Sequence, residues 1–251
     1  MIKKWNVTIP RLSGEKTRRA YIYLPDSYEK NPDKRYPVMY MFDGHNVFFD
    51  EHATFGKSWN MNKYLQETKK DIIVVGVECN HEGNRRLVEY SPLKYHNSEH
   101  GKIVGKGSIM MNWIINSLKP YVDANYRTLP DRKNTIIAGS SMGGLMALYG
   151  ATVYHHVFQR AACLSPSLWV APGSVLEMVA RAQIRRDTTI YMDYGELEMF
   201  NHAACQESMI STAHLLLTKR VNLAFRIVPG GTHSEASWEK QVPIFMECLG
   251  L

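Results

Sequence analysis

From Val38 onward the chain repeats one alternation: a short apolar run, then a stretch whose apolar residues recur at helical spacing. The runs VMYMF, DIIVVGV, NTIIAG, RAACL, TTIYMDYG and NLAFRIV carry almost no polar residue on either face. Such runs suit strands covered on both sides, and strands separated by helices pair in parallel. The sequence therefore predicts an α/β fold, a mostly parallel central sheet with helices on both faces, preceded by two strands at WNVTI and RRAYIYLP. Helices are expected over 59–69, 108–126 with a kink or a split-off last turn at Pro120, 142–155, 173–183, 201–220, and 234–249 with an interruption at Pro243. The polar stretch 78–107 reads as a long loop, and a loop of that length in a compact domain is usually functional.

The 251 residues, with 45% apolar content, suffice for one large core, and no linker, repeat or change of composition divides them. One domain over 1–251 is expected. The net charge of +6 is not gathered into a basic cluster with interleaved aromatics, so no nucleic-acid partner is expected. No stretch reaches the roughly 18 apolar residues of a membrane span, and MIKKWNVTIP lacks a signal peptide's apolar segment. A soluble, cytoplasmic protein without a membrane partner is the expectation, with homo-oligomerisation left open. The four cysteines are scattered and read as buried thiols. Of the ten histidines, the His96/His100 and His155/His156 pairs lack a third ligand, so no metal is assigned, and no cofactor is called for.

In parallel sheets ligands sit at the carboxyl ends of the strands. Those ends carry Asp43-Gly44-His45, Ser140-Ser141, then Asp193, Glu196 and Glu198, and finally His233. Gly139-Ser140-Ser141-Met142-Gly143 fits the Gly-x-Ser-x-Gly pattern between a strand and a helix. There a serine hydroxyl is exposed on a sharp turn and the helix N-terminus faces any oxyanion formed beside it. A serine at that place also reads as a helix N-cap. What separates the two readings is the later acid and the still later His233, in the chain order Ser, acid, His. Spacing alone does not choose among Asp193, Glu196 and Glu198.

With YMFDGHNVF, SWNMNKYLQE, NRRLVEYSP, GSSMGGLMAL, LSPSLW, DYGELE and GGTHSEASW, the chain resembles, through nearly its whole length, the esterase D ("putative esterase") family of α/β-hydrolases. That family includes feruloyl and acetyl xylan esterases, siderophore esterases, S-formylglutathione hydrolase and the antigen 85 mycolyltransferases. The resemblance implies Ser141 as nucleophile, His233 as general base and Glu198 as the acid, with Asp193 the main rival. It implies an oxyanion hole from the backbone N–H groups of Met142 and His45, with Trp59 and Trp169 as aromatic walls around substrate. Arg85, Arg86 and Glu89 match a motif that anchors the long loop by ion pairs. Arg85 is also placed at substrate, where the local positive charge of Arg85, Arg86 and Lys94 would favour an anion.

No insertion after RAACLSP is large enough for a lid, so the expected substrate is a small water-soluble ester with an acetyl, short acyl or hydroxycinnamoyl group, carbohydrate-linked esters among them. The expected activity is serine carboxylesterase through an acyl-enzyme. A siderophore or lactone esterase and an acyltransferase on the same scaffold are the alternatives, and a non-enzymatic binding module is disfavoured because every triad position is filled.

Overall fold

A computed structural model of the protein describes residues 1–198 and 202–251. Ten strands are defined among these residues: β1 (Ile2–Thr8), β2 (Thr17–Tyr23), β3 (Val38–Met41), β4 (Ile73–Val77), β5 (Lys94–Asn97), β6 (Gly101–Val104), β7 (Thr135–Ser140), β8 (Arg160–Leu164), β9 (Thr189–Gly195) and β10 (Asn222–Val228). Eight form one sheet in the order β1-β2-β4-β3-β7-β8-β9-β10. β1 and β2 pair antiparallel, as do β2 and β4, whereas β4, β3 and β7 to β10 run parallel. β3, β4, β7 and all but the first residue of β8 are buried along their length, as their largely apolar sequences require.

Helices close both faces. On one side the Met61–Glu67, Glu235–Glu239 and Val242–Cys248 helices pack Met61, Leu65, Trp238 and Phe245 onto Tyr21, Met39, Ile136 and Tyr191. On the other, Met110, Leu118, Leu145, Val175, Met209 and Leu216 cover Tyr40, Val75, Ile137 and Ile190. The Met142–Thr152 helix is buried at every residue but Tyr149, which fits its all-apolar sequence and its position over the sheet's centre.

Several expectations shift in detail. The stretch 78–107 is not a featureless loop: it holds a short helix, Arg85–Glu89, and the β5–β6 hairpin. Pro120 does not split its helix. The missing N–H falls at the start of Lys119–Asn125, and the preceding Ile114–Leu118 turn widens to π geometry, which relieves the proline ring. Pro243 does coincide with a break, since Glu235–Glu239 ends before a new helix starts at Val242. The helix expected from Asn201 is seen as His202–Thr218, and Asn201 itself lies outside the described residues. Cys79, Cys163 and Cys205 are buried as expected, but Cys248, on the outer side of the last helix, is exposed. No helix among the described residues is long and apolar enough to cross a membrane.

Candidate active site

β3 and β7 are neighbours in the sheet, with Met41 opposite Ala138, so the residues that follow them share one rim. Ser141 occupies the turn between β7 and the Met142–Thr152 helix with φ 57° and ψ −124°, a backbone conformation that L-residues seldom adopt. The turn is that tight because strand and helix nearly touch. A Cβ on Gly139 would lie 2.7 Å from the Gly143 carbonyl carbon, and one on Gly143 would lie 2.9 Å from Phe42 Cβ. Asp43 (φ 53°) and Ser165 (φ 42°), after β3 and β8, are held in the same left-handed region, so backbone strain gathers along this rim.

His233 comes from the turn after β10. Its Nδ1 lies 2.8 Å from Glu198 Oε2, and Glu198 is 2% exposed. The other carboxylate oxygen, Oε1, accepts from the Gly195 N–H at 2.8 Å and from the Ser165 hydroxyl at 2.5 Å. Ser165 in turn accepts from Trp238 Nε1 at 2.8 Å. The Trp238 ring stands edge-on to the His233 imidazole, centroids 5.0 Å apart at 81°. Donors on Glu198 and an aromatic wall on His233 thus fix the orientation of both side chains. The two loops meet because Gly195 and Gly231 lack side chains: a Cβ on Gly195 would sit 2.5 Å from the Gly231 carbonyl oxygen.

The other two carboxylates are engaged elsewhere. Asp193 is buried and accepts from the Tyr191 hydroxyl at 2.7 Å and the Ser165 N–H at 3.0 Å. Burial pushes its carboxyl up to about 7, against the lowering effect of those two donors. Glu196 accepts from the Gly230 N–H at 2.9 Å. Of the three acids that spacing left open, Glu198 is the one in contact with His233.

The Ser141 hydroxyl rests 3.3 Å from Ser167 Oγ, and Ser141 and His233 line one cavity of about 390 Å³. The backbone N–H groups of Met142 and His45 have no acceptor among the described residues. The loop that carries His45 is fixed from below. Asp43 takes a bidentate pair from Arg86 (2.9 and 2.7 Å) and its N–H donates to the Tyr90 hydroxyl at 3.1 Å. Burial would raise the Asp43 carboxyl, but the adjacent guanidinium more than offsets it and holds it below its ordinary value. Glu89 makes a buried bidentate pair with Arg18, which ties the Arg85–Glu89 helix to β2.

The other residues expected at the site lie elsewhere in the molecule. Trp59 is 3% exposed and packs against Trp238 and Phe245 on the helix side of the sheet; it does not line the cavity. Trp169, in the Leu168–Val170 turn, is partly exposed and is also absent from the lining. Arg85 points to solvent beside Glu82, and the arginine at the cavity is Arg86. Among the walls that sequence reasoning missed are Asn46, Thr54, Phe55, Cys79, Asn80, His81, Glu235 and Trp238. Asn46 donates to Glu235 at 3.0 Å, and burial pushes the Glu235 carboxyl up. The His45 imidazole also lines the cavity. It is 3% exposed, and burial pushes it down to about 4, which keeps it neutral at pH 7.

The mixed sheet, its helices on both faces and the serine turn after β7 define the α/β-hydrolase fold. Within that fold the chain belongs to the family described as "Putative esterase", which matches residues 13–245, and it is an ester-hydrolysing enzyme. It is 23% identical to the uncharacterized protein YbbA of Bacillus subtilis (strain 168) over 199 residues, 77% of this chain and 74% of that one. Among solved structures it resembles the siderophore hydrolase EstA of Aspergillus nidulans (TM-score 0.76, 15% identity, 98% of this chain and 94% of that one). It also resembles a ferulic acid esterase (TM-score 0.69, 19% identity, 99% and 98%).

Proposed function

We propose that the protein is a serine carboxylesterase for small, polar esters, working through Ser141, His233 and Glu198. The observation that carries this reading is the 2.8 Å contact between His233 Nδ1 and the buried Glu198 carboxylate, on the same cavity as a serine held on a strained turn. Glu198 orients the imidazole so that Nε2 faces the cavity as a base. On substrate binding, rotation about Cα–Cβ carries the Ser141 hydroxyl from Ser167 to His233. His233 takes the proton as Oγ attacks the ester carbonyl, and the free N–H groups of Met142 and His45 receive the oxyanion. His233 then protonates the departing alcohol. Water, deprotonated by the same imidazole, releases the acid.

The lining supports the substrate class. Asn46, Thr54, Asn80, His81 and Glu235 offer hydrogen bonds, and Phe55 and Trp238 offer flat apolar surface, which together suit an acetyl, short acyl or hydroxycinnamoyl ester. The likeness to a siderophore hydrolase favours a lactone or siderophore ester as a second reading. An anionic substrate gains little from Arg86, whose charge is already paired with Asp43.

Hydrolysis of p-nitrophenyl acetate, p-nitrophenyl butyrate and methyl ferulate tests the proposal, with Ser141→Ala, Glu198→Gln and Asp193→Asn beside the wild type. Ser141→Ala is expected to lower kcat by roughly 10⁴-fold or more, and Glu198→Gln by about 10²-fold or more. A wild type inactive on every ester, or a Ser141→Ala enzyme that keeps its rate, refutes it.

A further inference from the structure

β3 and β4 are adjacent parallel strands, and the residues just beyond their carboxyl ends bring His45, Cys79 and His81 together at the cavity wall. One ring nitrogen from each histidine and the Cys79 sulfur all lie within 4.8 Å of one another. Cys79 Sγ is 3.9 Å from His81 Nδ1. Two ligands sharing a tetrahedral zinc, with bonds of about 2.3 Å to sulfur and 2.0 Å to nitrogen, stand roughly 3.5 Å apart. An adjustment of about 1 Å therefore closes the site, and His81, which is exposed, is free to make it.

A second observation points to a ligand here. His45 is buried, its Nε2 is occupied by the Thr54 hydroxyl at 2.9 Å, and its Nδ1 is buried without a partner. A buried polar atom left unpaired costs on the order of 1–3 kcal/mol, and nothing in the ester chemistry uses this nitrogen.

We infer that His45, Cys79 and His81 form a three-ligand site for a thiophilic divalent cation of the zinc class, with its fourth position open to the catalytic cavity. Binding converts the Cys79 thiol to a metal thiolate and releases its proton to solvent. An ion there stands on the wall of the cavity that Ser141 and His233 also line, so it blocks ester binding. That second half rests on the proposed esterase activity, whereas the binding itself does not.

The test uses the full chain, reduced and freed of metal by chelation, and titrated with Co²⁺. One equivalent is expected to raise a thiolate-to-cobalt charge-transfer band that Zn²⁺ abolishes. Cys79→Ser should lose the band while Cys248→Ser, at the exposed thiol, keeps it. His81→Ala, an exposed substitution, should weaken binding by about tenfold or more, with circular dichroism confirming the fold of each variant. No band in the wild type, an equal band in Cys79→Ser, or undiminished affinity in His81→Ala overturns the site. Zn²⁺ should inhibit p-nitrophenyl acetate hydrolysis reversibly in the wild type and not in Cys79→Ser. Binding of one ion without inhibition overturns the blocking role. If the wild type hydrolyses no ester, the esterase reading fails and the cobalt titration still decides the site.

Discussion

Ser165→Ala removes one hydroxyl from the middle of a buried chain of contacts, from Trp238 Nε1 through Ser165 to Glu198 and His233. Trp238, Ser165 and Glu198 are each no more than 5% exposed, so water does not replace that hydroxyl freely. Two losses follow. The Glu198 carboxylate loses the Ser165 donor on Oε1, a hydrogen bond to an ionised acceptor worth about 1.5–3 kcal/mol, and the Trp238 N–H is left buried without an acceptor at a cost of about 1–3 kcal/mol. The losses share one cavity and partly relax together, so the variant should be destabilised by about 2–4 kcal/mol in urea denaturation. The Gly195 N–H still holds Oε1, so Glu198 is loosened and not released. A carboxylate free to swing misaligns His233 in part of the population, and kcat/KM should fall roughly 10- to 100-fold, equivalent to about 1.4–2.8 kcal/mol. Trp238→Phe is the companion: it removes the indole N–H but leaves Ser165 donating to Glu198, and its rate should stay within about threefold of the wild type. If Ser165→Ala hydrolyses p-nitrophenyl acetate at the wild-type rate with unchanged stability, Ser165 does not position the acid and the chain of contacts carries no function.

Asp193→Asn should leave hydrolysis within about threefold of wild type while changing the pH dependence of stability. A carboxyl raised to about 7 by burial keeps its proton in the folded state at pH values where the unfolded chain, near 4, has released it. Stability therefore falls as pH rises through that window and the full penalty, at most about 4 kcal/mol, stands above pH 7. Urea midpoints at pH 5 and pH 8 should converge in the variant, and an unchanged difference argues against a protonated Asp193. Arg86→Met leaves the Asp43 charge buried without its partner and should cost about 3–5 kcal/mol at pH 8. Protonation of Asp43 relieves that cost, so the deficit should shrink on acidification, and a pH-independent deficit would show that packing, not charge, was lost. Gly195→Ala places a Cβ 2.5 Å from the Gly231 carbonyl oxygen and 2.8 Å from Glu198 Oε1. It should destabilise by about 1–3 kcal/mol and depress kcat more than any loss of folded protein explains, as titration of active sites would reveal.

The sheet was legible because its strands are apolar on both faces and alternate with helices; few other folds tolerate that pattern. The β5–β6 hairpin was not. Its strands, KYHN and GKIV, are four residues each with only Tyr95 and Ile103 buried, and they are held by the Gly101 turn (φ 67°) and by Gly105 and Gly107 beyond them, which donate to the Leu93 and Ser91 carbonyls, a tertiary fact that so short a pattern does not announce. The adjacent Arg85 and Arg86 show a related gap. Inside a helix neighbours point about 100° apart, so the placement of 85–89 on the rim decides which arginine meets Asp43, and composition treats the two alike. Trp59 fails as a cavity wall for a backbone reason: Asn60, at φ 46°, turns the chain so that the preceding ring goes inward against Phe245.

That Ser141 and His233 share one rim was readable from position alone, since each follows a strand and only late residues reach the serine from the far side of the sheet. Which carboxylate meets His233 was not, because Asp193, Glu196 and Glu198 share one strand end and differ in what the neighbouring strands offer them. β8 supplies the Ser165 N–H to Asp193 and the Ser165 hydroxyl to Glu198, while the β10 turn supplies Gly230 to Glu196 and His233 to Glu198. One serine, in left-handed conformation at the end of β8, thus directs its backbone to one acid and its side chain to another. That division depends on φ at Ser165, and the LSPSLW motif records the residue but not its conformation. It follows that substitution of Ser165 should disturb the Glu198–His233 pair more than substitution of Glu196, whose carboxylate is engaged with the Gly230 N–H.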